Sequence, residues 1–285
     1  MPPTALHTIE EGKGEPLIFV HGSASDYRTW EKQLPYFAGH FRTLVYSRRY
    51  HWPNPVILEN EDYSMMQHID DLKGLILQKA PVGVHLAGHS YGAFICLKLA
   101  MEHPGLVRTL TLAEPPVITI FVSNSPKPGE LLKLLPLKPR LAMEIIKFGL
   151  EGVAPAKKAF EKGLPEKALE IFGNATLGKS AFQRLSPSRM EQARSNLFKM
   201  ELMGSGFPQL DKEQIKNIRV PVMLISGDRS PLMFRLLLRE LTKLISGADL
   251  KIISNASHIM HEDNSSQYNK VLMSFLKDHL DPRSS

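Results

Sequence analysis

The sequence predicts an α/β fold: a mostly parallel central sheet flanked by helices, with a helical cap inserted into it. Three observations predict it. Six short apolar runs ending in turn residues recur along the chain, helical patterns lie between several of them, and strand-like runs are missing from about residue 117 to about residue 210. Short β-branched runs bounded by Gly, Pro or Ser have the length and composition of buried strands. Strand, helix, strand alternation gives parallel pairing, because each crossover returns the chain to the same end of the sheet.

Taken in order, the runs are PLIFVHG (16–22), FRTLVYS (41–47), VGVHLAGHS (82–90), VRTLTLAEPP (107–116), PVMLISGD (221–228) and ADLKIISNASH (248–258). YSMMQHIDDLKGLILQKA precedes the third, and YGAFICLKLAMEHP follows it until Pro104 stops the helix. The last run leads into SSQYNKVLMSFLKDHL, where Tyr268, Val271, Leu272, Phe275 and Leu276 recur at helical spacing, the pattern of a terminal helix laid on the sheet. Residues 1–116 and 211–285 therefore form one core. Residues 117–210, with patterns such as LLKLLPLKPRLAMEIIKFGLEG and PEKALEIFG broken by Pro and Gly, form the cap. The cap leaves and re-enters the core beyond C-terminal strand ends, the edge where open α/β sheets bind ligands. It is placed to exclude water and shape a pocket.

Composition narrows the function classes. Apolar residues at 43% and charged residues at 22% are ordinary for a globular domain. The net charge of +6 comes from 35 Lys and Arg against 29 Asp and Glu, spread along the chain, so no nucleic-acid-binding arm is expected. The single cysteine, Cys96, excludes an intrachain disulfide and a multi-cysteine zinc site and suits a reducing, cytoplasmic compartment. The first residues lack an apolar signal region and no run reaches the roughly 18 apolar residues of a membrane span, so stable membrane insertion is not expected. The expected partner is a small-molecule substrate, without a cofactor; the oligomeric state is not legible.

Gly88, His89, Ser90, Tyr91 and Gly92 spell G-x-S-x-G directly after one apolar run and at the start of a helical pattern, the strand, turn, helix context of a nucleophile elbow. A serine hydroxyl needs a base to become a nucleophile, and the tight turn exposes it at the strand end. At a helix N-terminus, the N–H of Tyr91 can face a developing oxyanion. With these motifs in this order the chain resembles the α/β-hydrolase superfamily on both sides of the cap. The resemblance makes HGSAS (21–25) the first oxyanion loop, with Ser23 the residue that donates its backbone N–H.

By the same resemblance the histidine between the last strand and the terminal helix, His258, is the catalytic base. His261 is its neighbour; a His-x-x-His metal pair with Glu262 or Asp263 is disfavoured because the helical HExxH arrangement is missing. The family's usual acid position, three residues after the glycine ending the late strand, holds Ser230. Asp228, one residue after Gly227, is one substitute. Glu114 is the other and the preferred one: it follows VRTLTLA, where some superfamily members, haloalkane dehalogenases among them, carry the acid, and Pro115 and Pro116 then stop strand pairing. The dehalogenase likeness ends at the nucleophile, an aspartate there and Ser90 here.

The loop SRRYHWPNP (47–55) places Arg48, Arg49, Tyr50, His51 and Trp52 beyond a strand end, either to bind an acidic or aromatic group or to pair with one another. Methionines 65, 66, 143, 190, 200, 203, 223 and 233 are expected to fill cores, some lining an adaptable pocket. Together these features predict a serine hydrolase of carboxylic ester or thioester bonds, of carboxylesterase type. A carbon–carbon bond hydrolase, a cofactor-free dioxygenase or a non-catalytic ligand receptor is the alternative on the same fold.

Overall fold

The structure, a computed structural model, describes residues 6–56, 63–196, 201 and 204–280; Met200 and Met203 lie outside them. The strands are β1 (Thr8–Glu11), β2 (Pro16–Val20), β3 (Arg42–Tyr46), β4 (Val84–His89), β5 (Val107–Ala113), β6 (Val222–Gly227) and β7 (Asp249–Ile253), in spatial order β1-β3-β2-β4-β5-β6-β7. Among the described strands only the β1–β3 pairing is antiparallel; the pairings that join β2 to β7 are parallel. All six apolar runs became strands. The seventh, β1, reads TIEE and carries no apolar run, because it lies half exposed at the sheet edge.

Alternation along β2 sorts its side chains between two cores. Ile18 and Val20 join Leu86, Phe94, Leu112 and Leu224 on one face. Leu17 and Phe19 join Trp30, Phe37, Tyr268 and Leu272 on the other. Burial on both faces explains why these strands read as continuous apolar runs. The covering helices include α1 (Leu34–Ala38), α2 (Met65–Lys79) and α3 (Tyr91–Glu102). Helix α2 opens on a capping box in which Ser64 and Gln67 exchange side-chain and backbone hydrogen bonds.

Between β5 and β6 the described residues contain no strand. They form α4 (Pro128–Leu137), α5 (Pro139–Lys147), a π-helical turn (Phe148–Val153), α6 (Ala154–Glu161), α7 (Pro165–Leu177), α8 (Lys179–Gln183), α9 (Pro187–Ser195) and α10 (Lys212–Lys216). Pro opens α4, α5, α7 and α9, where its missing N–H costs nothing and its fixed φ suits the first turn. Of the prolines in the sequence patterns, Pro139 and Pro165 thus start helices, whereas Pro136 lies inside α4. After β6 come α11 (Leu232–Leu244), α12 (Met260–Asp263) and α13 (Ser265–Lys277).

Side chains fasten the inserted helices to the core. Lys138 pairs with Glu240 at 2.5 Å and Arg189 with Glu262 at 3.1 Å. Buried Asp26, just after the first apolar loop, accepts from Gln192 at 3.0 Å and Asn196 at 2.7 Å. Met65, Met223 and Met233 are core residues, whereas Met143 is exposed. Among the described residues no helix is long and apolar enough to cross a membrane.

Candidate active site

Ser90 stands between β4 and α3 with φ 51° and ψ −117°, a strained left-handed backbone for a residue with a side chain. Its own backbone is held on both sides: its N–H donates to Ala113 O at 2.8 Å and its carbonyl accepts from Phe94 N at 3.1 Å. The flanking glycines are a steric necessity. A Cβ on Gly92 would lie 2.3 Å from Val20 O, and one on Gly88 would lie 2.6 Å from Ala93 Cα. The motif spacing is therefore the spacing of two close backbone approaches around one exposed hydroxyl.

His258 follows β7 and reaches across to that hydroxyl. Its Nε2 lies 2.9 Å from Ser90 Oγ and its Nδ1 lies 2.6 Å from Glu114 Oε2. A carboxylate only accepts, so Nδ1 carries the proton and Nε2 presents its lone pair to the serine. The ring stacks on Phe234 with centroids 3.9 Å apart, and its carbonyl accepts from His89 Nε2 at 2.7 Å. Glu114 is fully buried at the end of β5, with a positive φ of 47°. Its second oxygen accepts from Ser226 Oγ at 2.5 Å and Gly227 N at 3.2 Å, so both oxygens have assigned partners.

Asp228 is not part of this chain of contacts. It is exposed and accepts from Ala256 N at 3.0 Å; the backbone amides of Asn255 and Ala256 hold its carboxyl below the ordinary range. It braces the turn that leads to His258. His261 is buried away from the serine, with its Nε2 2.9 Å from Thr29 Oγ1, and burial pushes its pKa well down. Among the described residues no group of three or more His, Cys, Asp or Glu is arranged to hold a metal ion.

Ser23 and Tyr91 line the same cavity as Ser90 and His258. The cavity measures about 440 Å³; Phe234 and Ile259 of the core line it, and the inserted segment adds Ile145, Phe148, Leu169 and Phe172. A volume in the usual range for small-molecule sites, apolar walls and a few converging polar groups suit an apolar ligand with one reactive polar centre. Among the polar wall groups are Glu201, Asn124 and Arg189.

Some groups here carried little or no sequence signal. Glu201 lies in the insertion, and nothing in its neighbourhood marks it; in the structure it pairs with buried Arg48 at 2.5 Å. Burial raises the Glu201 carboxyl, but the Arg48 charge and His51 outweigh it and hold it at about 2. The loop at 47–55 does pair internally and with neighbours, as one of its two readings expected. Arg28 covers the Trp52 ring at 4.0 Å, Arg49 pairs with Asp71 at 2.5 Å, and Arg48 covers the Tyr91 ring at 4.4 Å.

Residues 15–265 match the profile of a family described as the alpha/beta hydrolase fold. Among characterised proteins, the chain is 25% identical over 289 residues to epoxide hydrolase 3 of Xenopus tropicalis, covering 96% of this chain and 75% of that protein. It is 24% identical over 269 residues to the human protein ABHD8, covering 91% of this chain but 54% of ABHD8, so it spans about half the length of that relative. Among solved structures, MenH from S. aureus superposes with a TM-score of 0.73 at 18% identity, covering 97% of this chain and 99% of that one. Carboxylesterase CesB from Bacillus subtilis superposes with a TM-score of 0.69 at 20% identity, covering 95% and 87%.

Proposed function

Because the chain belongs to the alpha/beta hydrolase fold family, we propose that it is a serine hydrolase of carboxylic ester or thioester bonds, with Ser90, His258 and Glu114 as its catalytic residues. What carries this conclusion is the unbroken run of contacts from Glu114 Oε2 through His258 to Ser90 Oγ, 2.6 Å and 2.9 Å.

Ser90 Oγ attacks the substrate carbonyl while His258 Nε2 takes its proton; Glu114 fixes the tautomer and balances the imidazolium. The N–H groups of Ser23 and Tyr91 hold the oxyanion. Collapse of the tetrahedral intermediate breaks the acyl–oxygen or acyl–sulfur bond, and His258 gives its proton to the leaving group. Water, deprotonated by the same His258, then attacks the acyl-serine and releases the acid. The segment 117–210 acts as a cap whose apolar side chains select the acyl group and keep bulk water from the intermediate.

Epoxide opening, suggested by the names of some relatives, fits this nucleophile poorly. A serine that opens an epoxide forms an ether, which offers no carbonyl for water to attack, so the enzyme would not turn over. The test is a substrate panel of p-nitrophenyl acetate, butyrate and octanoate, phenyl epoxides and a vinylogous diketone, assayed beside Ser90→Ala. Ester turnover lost in Ser90→Ala supports the proposal. Turnover of diketone without ester, oxygen consumption, or tight binding without turnover overturns it in favour of the carbon–carbon hydrolase, dioxygenase or receptor alternative.

A further inference from the structure

The loop that carries Ser23 is held from behind by a charge. Arg48 is fully buried at the end of β3, and its Nη2 donates to the carbonyl oxygen of Gly22 at 2.9 Å. That carbonyl belongs to the Gly22–Ser23 peptide, the same unit whose N–H is the proposed oxyanion donor. In a trans peptide C=O and N–H point in opposite directions, so a cation fixed on the oxygen fixes the direction of the N–H. It also draws electron density toward the oxygen and makes the N–H a stronger donor. Gly22 itself is pressed against the nucleophile: a Cβ there would lie 3.2 Å from Ser90 Cβ.

A second donor acts on the same oxygen. The backbone N–H of Arg48 donates to His21 Nε2 at 2.9 Å, which leaves the imidazole proton on Nδ1, and Nδ1 lies 2.9 Å from Gly22 O. Three buried histidines, His21, His51 and His68, surround the guanidinium; burial first and then the Arg48 charge push all three below their ordinary values. They stay neutral, and Glu201 is the counter-ion at 2.5 Å. The guanidinium also covers the ring of Tyr91, the residue of the other oxyanion amide, at 4.4 Å. Buried ion pairs contribute little net stability, because desolvation consumes most of the attraction. This one is spent on a peptide group that faces the reacting atoms.

We propose that Arg48 is the positioning residue of the oxyanion hole, aligning and polarising the Gly22–Ser23 peptide, with Glu201 of the insertion as its charge partner. It rests on the serine-hydrolase reading and adds a dependence of the hole on the insertion. Arg48→Met alone strands the Glu201 carboxylate, so the main test is the double variant Arg48→Met/Glu201→Gln, with Arg48→Lys beside it. Folding is checked by circular dichroism and thermal melting, kcat and KM are measured on p-nitrophenyl butyrate, and Ki is measured for an alkyl trifluoromethyl ketone, whose serine adduct places an oxyanion in the hole.

The double variant is expected to lose about 10- to 100-fold in kcat, less than outright loss of an oxyanion donor, with KM nearly unchanged and ketone affinity falling in proportion. Arg48→Lys keeps a charge but not the planar guanidinium whose Nη2 reaches both Gly22 O and Glu201 Oε1, so it is expected to lie between the double variant and wild type. A folded double variant with wild-type kcat and ketone affinity, or one whose loss lies wholly in KM, overturns the proposal. Should the double variant fail to fold, Arg48→Lys decides, unchanged kcat and ketone affinity overturning it. Wild-type protein that turns over no ester and forms no ketone adduct overturns the hydrolase reading as well, whereas active wild type with indifferent variants overturns only the role of Arg48.

Discussion

Replacing Glu114 by Gln changes one oxygen to an NH₂ group and leaves the shape of the side chain intact. Its effect follows from which end each neighbour demands. Ser226 Oγ and Gly227 N both donate to Oε1, at 2.5 Å and 3.2 Å. The backbone N–H of Gly227 cannot turn around, so the amide oxygen must settle at that end. The NH₂ group then faces His258 Nδ1, which is 2.6 Å from the present Oε2. Two donors cannot share that contact, so the imidazole shifts its proton to Nε2 and presents a donor to Ser90 where the reaction needs an acceptor. Loss of the correct tautomer costs about 10⁴-fold in kcat, about 5 kcal/mol of transition-state stabilisation. The assay is steady-state hydrolysis of p-nitrophenyl butyrate, with a thermal melt to show that the variant is folded. Asp228→Asn serves as the contrast, since Asp228 braces a turn and is expected to keep kcat within about threefold, allowing for a small loss of stability from the altered turn. A folded Glu114→Gln that keeps kcat within tenfold of wild type refutes the reasoning, as does a large kcat loss confined to Asp228→Asn.

Ser226→Ala removes one of two donors to Glu114 Oε1 and leaves His258 untouched; about a tenfold loss in kcat with unchanged KM is expected, scaled to one hydrogen bond to a charged group. Gly92→Ala drives a methyl into Val20 O at 2.3 Å, and differential scanning calorimetry should show destabilisation of about 3 kcal/mol, a fall in Tm of about 10 °C. Asp26 is raised by burial but lowered more by Arg28, Gln192 and Asn196, so its folded pKa lies below the unfolded one. The stability it contributes is present above about pH 4 and lost as pH falls through the folded value; Tm measured from pH 6 to 3 should drop steeply below pH 4, and Asp26→Asn should flatten that drop. An unchanged acid limb in Asp26→Asn would show that the tether between the loop and α9 does not titrate.

Much of this was legible because the physics is local. Strands β2 to β6 announce themselves by burial on both faces, and the elbow by two glycines at positions where a side chain has no room. Glu114 is reachable through the resemblance, which offers an acid position directly after VRTLTLA. Asp228 is the other carboxylate that the sequence offers, and geometry separates them: Glu114 Oε2 lies 2.6 Å from His258 Nδ1, whereas Asp228 accepts from Ala256 N. The first strand leaves no such signal, because TIEE, half exposed at the sheet edge, carries no apolar run. Glu201 was invisible for a different reason: its partner Arg48 lies 153 residues away, and a single Glu in a helical insertion has no pattern to betray it. Arg48 itself stood in a run dense with cations and aromatics, where the one aimed at a peptide carbonyl reads like the ones that pair on the surface.

The most direct test of an activated Ser90 is intact-protein mass spectrometry after exposure to a fluorophosphonate, with Ser90→Ala treated in parallel. The account predicts one phosphonyl adduct per chain in wild type, formed within minutes, mapped to the peptide containing Ser90, and no adduct in the variant. Folded wild-type protein that stays unmodified, or an adduct that persists in Ser90→Ala, would contradict it.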